Sequence, residues 1–220
     1  MIAGGLRKLL LGCLRAAFDR FVKTTTSTDH LEIERKFAIS EEETRRIPSL
    51  LTARAFSAAG RVFMTDFFLP TVDGEMMRVR QERPEWSLPR VLFTRKQWVI
   101  TAGGERERRE CERQVRSAVA AIWLAVGRLI KGQPLLSFSK QRDLFTGTLA
   151  DGEAVVSIDQ VSGLGKYSGH YLEVEVLVPV AGDPTAARNA IADLVAKLLA
   201  NPEMVKRSYL DMLTESAQGN

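Results

Sequence analysis

The segment Leu31-Glu32-Ile33-Glu34-Arg35-Lys36-Phe37 limits the folds open to this chain more than any other. Read as a β-strand, it sends alternate side chains to opposite faces. Glu32, Glu34 and Lys36 then project together, about 7 Å apart along the strand, with Ile33, Arg35 and Phe37 behind them. Two carboxylates and an ammonium in a row make a poor packing face. They are a good beginning for a site that binds a metal and a phosphate. Near the other end, Tyr171-Leu172-Glu173-Val174-Glu175-Val176 repeats the acidic half.

The same alternation sorts charge along five further segments. Arg78 and Arg80 share a face of Met76 to Glu82, and Thr94 and Lys96 share a face of Val91 to Ile100. Glu110 aligns with Glu112 in Arg108 to Val115, and Lys140 with Arg142 in Leu136 to Thr146. Asp159 aligns with Ser157 in Glu153 to Val161, and Arg61 to Leu69 completes a set of eight strands. Turn signals at Pro70 to Gly74, Arg83 to Pro89 and Ala102 to Glu105 favour antiparallel hairpins. Eight strands are enough to close a small barrel. The expected fold is therefore α+β and mainly β: a closed, eight-stranded antiparallel barrel with a charged interior and helices packed outside.

Those helices have their own signals. Ser40 before Glu41, Glu42 and Glu43 begins a capping box. Ala118 to Ile130 is apolar and ends near Lys131-Gly132, and Asp183-Pro184 starts a helix to about Ala200. A last helix is expected from Glu203 to about Thr214. A charged face can simply meet water, as one face of many antiparallel sheets does. Against that, Glu-x-Glu sets like charges side by side, which costs energy unless cations neutralise them.

The net charge of +4 is concentrated where it says little about the body of the protein. Residues 1–23 carry Arg7, Lys8, Arg15, Arg20 and Lys23 against Asp19, which accounts for all of it. The remainder is balanced, so no duplex nucleic-acid partner is expected. Apolar residues from Ile2 to Phe21 follow helical spacing, and Thr24 to Thr28 link this segment to the first strand. It is read as docking on the domain or a protein partner, lying on an anionic membrane surface, or serving as a mitochondrial presequence. Two isolated cysteines and two isolated histidines make neither a disulfide framework nor a zinc site. The default location is a reducing cytoplasm, with mitochondria as the alternative.

The lining points to its ligand. Clustered carboxylates suit hard cations such as Mg²⁺ or Mn²⁺, and converging Arg and Lys suit a polyanion. No Gly-x-x-x-x-Gly-Lys-Ser/Thr loop is present, so a P-loop is excluded.

Glu32-x-Glu34-x-Lys36, Arg78-x-Arg80, Lys96, Glu110-x-Glu112, Lys140-x-Arg142, Asp159 and Glu173-x-Glu175, in that order, resemble the pattern of the CYTH superfamily, the triphosphate tunnel metalloenzymes. Gly163-Leu164-Gly165 and Ser208-Tyr209-Leu210 are similar to its late segments, and the resemblance spans about residues 30–214. It implies a tunnel domain over 30–215, preceded by the basic segment 1–29 and followed by a tail, 216–220. It also implies a triphosphate-containing small-molecule substrate and Mg²⁺ or Mn²⁺. Glu32, Glu34, Asp159, Glu173 and Glu175 would hold the metal. Lys36, Arg78, Arg80, Lys96, Lys140 and Arg142 would hold phosphates. Glu110 and Glu112, with Lys36, would form the catalytic set. Thr65-Asp66-Phe67-Phe68-Leu69 departs from the pattern, because relatives often carry a tyrosine there. Hydrolysis of a triphosphate is the expected reaction. A class IV adenylyl cyclase and a non-catalytic polyphosphate- or nucleotide-binding module are the alternatives, and a homodimer stays open.

Overall fold

The computed structural model describes residues 12, 30–69, 76–100, 106–132, 134–179 and 184–218. Within strands, the side chains of residues 30, 31, 97–100, 106–111 and 179 lie outside that set. The expected N-terminal helix falls outside it as well, apart from position 12.

Nine strands occur among the described residues: β1 (His30–Ile39), β2 (Ser57–Leu69), β3 (Met76–Pro84), β4 (Arg90–Ile100), β5 (Arg106–Val115), β6 (Ser137–Leu149), β7 (Gly152–Ser162), β8 (Gly169–Pro179) and β9 (Glu203–Met204). Their order is β5-β4-β3-β2-β6-β7-β8-β1-β9. The antiparallel, sheet-rich architecture follows the sequence reading, with two corrections. The order is an open one with β5 and β9 at its ends, rather than a closed ring of eight. The ninth strand is a two-residue piece where a helix was expected. Met204 pairs with Phe37, and Val205 N–H donates to Lys36 O at 2.8 Å, so this stretch is extended along β1.

Among the described residues, four longer helices accompany the sheet: α1 (Glu41–Thr52), α2 (Ser117–Lys131), α3 (Pro184–Leu198) and α4 (Tyr209–Gln218). The capping box at Ser40 is formed as read, with Ser40 Oγ accepting from Glu43 N–H and Glu43 Oε2 accepting from Ser40 N–H. α4 starts at Tyr209 because Ser208 and Asp211 form the same reciprocal pair there.

The described chain forms two compact units. One holds Thr65–Glu82 and Pro89–Ser137, and the other Asp29–Met64, Arg83–Leu88 and Phe138–Asn220. In the second unit, Ile33 of β1, Val156 and Ile158 of β7, and Leu172, Val174 and Val176 of β8 are buried together. Ile47 and Leu51 of α1 and Ile191, Leu194 and Leu198 of α3 cover them. Each such side chain contributes about 1.5–3 kcal/mol by leaving water. In the first unit, Met77, Val79 and Phe93 pack under Ala120, with Trp123 and Leu124 against the cluster. α1 and α3 in one unit and α2 in the other lie on apolar faces, which leaves the charged faces of the same strands for other work.

Register fixes what meets on those faces. The β6–β7 hairpin turns through Ala150 and Asp151, both left-handed at φ 48° and 61°, between the paired Leu149 and Gly152. Only glycine fits at 152, since a Cβ there would lie 2.8 Å from Leu177 O.

Candidate functional site

The hairpin register sets Arg142 opposite Asp159, and Asp159 in turn lies opposite Tyr171 of β8. Glu173, two residues on, lies opposite Lys36 of β1. Strand alternation keeps Lys36, Lys140, Arg142, Asp159 and Glu173 on one face, away from the core. Arg142 grips Asp159 with two parallel bonds, Nε to Oδ1 and Nη2 to Oδ2, each 2.6 Å, and its Nη2 also donates to Glu173. Lys140 Nζ donates to Asp159 Oδ2 at 2.8 Å and stands 3.9 Å from Glu173 Oε2. Lys36 Nζ lies 3.6 Å from Glu173 Oε1. Three cations thus converge on two carboxylates.

The set is buried. Asp159 is 0% exposed and Lys140 4%. Burial pushes the Asp159 carboxyl up, but Arg142 and Lys140 outweigh it and hold the group below its ordinary value. Burial likewise opposes the Arg142 charge, and Asp159 and Glu173 outweigh it, so the guanidinium sits well above its usual value. A depressed carboxyl contributes stability that is complete above its unfolded value, roughly 4, and is lost as pH falls through the folded value. The gap in Tm between the wild-type protein and Asp159→Asn should therefore be widest near neutrality and narrow steadily in acid. A gap that stayed constant from pH 7 to about 3 would contradict the ion-pair assignment.

Tyr209, at the start of α4, completes this site and was not among the expected site residues. Its hydroxyl donates to Asp159 Oδ2 at 3.1 Å, and its ring centroid is 3.7 Å from Lys36 Nζ. Tyr171 meets the ring edge-on at 5.5 Å, and Phe138 lies 5.2 Å away. Burial, then Glu173 and Asp159, push the phenol well above its ordinary value, so it stays a neutral donor. Its sequence signals were the Ser-x-x-Asp cap at Ser208 and the family-like run Ser208-Tyr209-Leu210, neither of which points to Lys36.

The remaining acids expected to bind metal are Glu32, Glu34 and Glu175. Glu34 lies opposite Glu175, and Glu32 opposite Leu177, on the same face as the cluster. All three are half-buried. Among the described residues no three acidic, histidine or cysteine groups converge as a ready-made cage. The donor chemistry nevertheless fits a hard cation. Like charges directly opposed across a ladder destabilise it unless neutralised, and Mg²⁺ is commonly held by one or two carboxylates with substrate phosphates and water completing its shell.

The other unit carries a second charged face. Asp66 of β2, 1% exposed, accepts from Arg80 Nε at 2.6 Å and Nη2 at 2.8 Å, and from Arg78 Nη1 at 3.3 Å. Arg78 Nε also donates to Thr94 Oγ1 at 3.2 Å, and Thr94 donates to Glu112 Oε2 at 2.9 Å. Arg78 Nη2 is 3.7 Å from Glu112. Lys96 lies opposite Met76 on one side and Glu110 on the other, and the Glu110 side chain is outside the described set. The departure noticed at Asp66 is thus an acid that engages both arginines of the Arg-x-Arg pair.

A family model described as the CYTH domain matches residues 30–209. Among solved structures, a protein of Pyrococcus horikoshii is 22% identical with a TM-score of 0.62, over 84% of this chain and 98% of that one. A Hippeastrum protein, assigned as an adenylyl cyclase and described as having a dominant triphosphatase activity, is 12% identical with a TM-score of 0.59, over 84% and 95%. A Vibrio parahaemolyticus protein assigned as an adenylate cyclase is 18% identical with a TM-score of 0.56, over 84% and 98%. At these identities the likeness speaks to the fold alone. No curated protein matches.

Proposed function

The chain belongs to the CYTH domain family, and on that premise we propose that it hydrolyses a triphosphate-containing substrate with a divalent metal, Mg²⁺ or Mn²⁺. The observation that carries this reading is the buried network of Lys36, Lys140 and Arg142 on Asp159 and Glu173, beside the opposed Glu34 and Glu175. Its converging cations suit an anion, and its opposed carboxylates suit a cation. A metal–triphosphate complex supplies both.

In this mechanism Lys36, Lys140 and Arg142 bind phosphate oxygens. Asp159 and Glu173 hold those cations in place before substrate arrives, so little reorganisation is needed as charge develops in the transition state. Glu34 and Glu175, with Glu32, would hold the metal, which when bound would neutralise phosphate charge and acidify water. Asp159 and Glu173 were expected as metal ligands, and their contacts with Lys36, Lys140 and Arg142 favour a cation-orienting role for both instead. By their places in the family pattern, Arg78, Arg80 and Lys96 are assigned to phosphate oxygens, and Glu110 and Glu112 to orienting the attacking water. Water attacks the terminal phosphorus, the bridging P–O bond breaks, and orthophosphate leaves along with the shortened phosphate chain.

Cyclisation of ATP stays the second reading, because the Hippeastrum relative joins both activities in its description. Phosphorus NMR with tripolyphosphate and ATP together separates them. We expect orthophosphate and pyrophosphate to grow at the expense of tripolyphosphate with Mg²⁺ or Mn²⁺, and to stop on addition of EDTA. Pyrophosphate with cyclic AMP would establish the cyclase. Tight binding without product would make the protein a capture module.

A further inference from the structure

We infer that Tyr209 is the positioning residue for Lys36: its ring fixes where that ammonium stands to meet a phosphate oxygen. This rests on the hydrolytic reading above and gives Tyr209 a role in it.

Segment 203–209 runs beside β1, with Met204 opposite Phe37 and Val205 N–H donating to Lys36 O at 2.8 Å. The same segment then takes hold of the Lys36 side chain. Lys36 Nζ donates to Arg207 O at 3.3 Å and stands 3.7 Å from the Tyr209 centroid. Glu173 approaches from the sheet, 3.6 Å away. A flexible four-carbon stem is thereby fixed by a carbonyl, a carboxylate and a ring.

These partners do different things to the charge. A carboxylate neutralises an ammonium, whereas an aromatic face attracts it and leaves its full charge for an incoming anion. A second acid in place of the ring would hold Lys36 equally well and spend the charge on it. Tyr209 is itself immobilised: its hydroxyl donates to Asp159, and Phe138 and Tyr171 brace the ring. Burial keeps the phenol protonated, so the ring carries no negative charge of its own at neutral pH. Lys140 Nζ, 5.1 Å from the same centroid, is a second cation within its reach.

The test separates ring from hydroxyl, and this inference from the reaction. Tripolyphosphate kinetics are measured for the wild-type protein, Tyr209→Phe and Tyr209→Leu. In parallel, the Lys36 side-chain methylene protons, assigned by their loss in Lys36→Arg, are followed by NMR for the upfield shift a nearby ring imposes. Tyr209→Leu should abolish that shift and raise KM about 10-fold or more, with a smaller change in kcat. Tyr209→Phe keeps the ring and should keep both the shift and KM within about threefold of wild type. A wild-type Lys36 signal with no ring shift, a Leu variant with unchanged KM, or a Phe variant as impaired as Leu would each overturn the inference. Should Tyr209→Leu fail to fold, the Phe variant and the wild-type shift still decide it. If the wild-type protein turns over no triphosphate, the hydrolytic reading fails, while the NMR shift still judges the Tyr209–Lys36 contact.

Discussion

Replacing Glu34 with glutamine is expected to lower kcat on tripolyphosphate by about 100-fold at fixed metal while leaving the fold intact. Residues that merely support metal ligands typically cost 10–100-fold when removed, so a ligand should cost at least the upper end of that range. Glu34 is half-buried and directly opposite Glu175. Without metal, two opposed carboxylates repel, and neutralising one relieves the strain. The metal-free variant should therefore melt at the wild-type temperature or slightly above it. The wild-type protein should gain stability on adding Mg²⁺ or Mn²⁺, because a ligand that binds only the folded state stabilises it, and the variant should lose most of that gain. Wild-type turnover by Glu34→Gln at saturating metal would remove Glu34 from the metal site. It would leave the Lys36–Arg142 network untouched as an anion site.

Removing Asp66 should be the most destabilising single change in the first unit. Its carboxylate is fully buried and takes two parallel bonds from Arg80, itself only 7% exposed. Asp66→Ala leaves the Arg80 guanidinium buried with its main acceptor gone, and breaking a buried pair in this way costs about 3–5 kcal/mol. Glu82, 3.9 Å from Arg80 and already paired with Arg90 at 2.7 Å, is too committed to replace it. Urea unfolding reports the loss through Trp123, which lies 5.0 Å from Phe93 in this unit's core. The double replacement Asp66→Leu with Arg80→Met should recover most of the stability, since an apolar pair avoids the desolvation cost entirely. An Asp66→Ala variant with wild-type urea resistance would show the pair to be dispensable.

The strands were legible in the sequence because alternation leaves the same trace in residues and in space. Glu173 and Glu175 on one face, with Leu172, Val174 and Val176 on the other, stand where period two puts them. Ser40 and Glu43 were legible for a similar reason, since a capping box closes within four residues. Asp66 and Tyr209 were not. Alternation gives the face a charge occupies but not its partner, so Arg78 and Arg80 read as two cations awaiting phosphate, with nothing to say that Asp66 already engages them. Tyr209 reaches Lys36 across more than 170 positions of chain, a distance at which no local pattern speaks. Glu203–Met204 was read as helix because nothing nearby forbids one, and its pairing with Phe37 is a tertiary choice.

The left-handed turn at Ala150 and Asp151 has a consequence for how this protein can change over generations. It sets the register that puts Lys140 and Arg142 on the same side as Asp159. If one residue were added at the tip and absorbed by sliding β6, Gln141 and Asp143 would move to that side, replacing two cations with an amide and an acid. A slide by two residues would keep the same side chains on that face but carry them about 7 Å along it, putting Lys140 or Leu144 opposite Asp159 in place of Arg142. Any lineage that preserves this site must therefore absorb length changes at the hairpin in the loop, without sliding β6 at all.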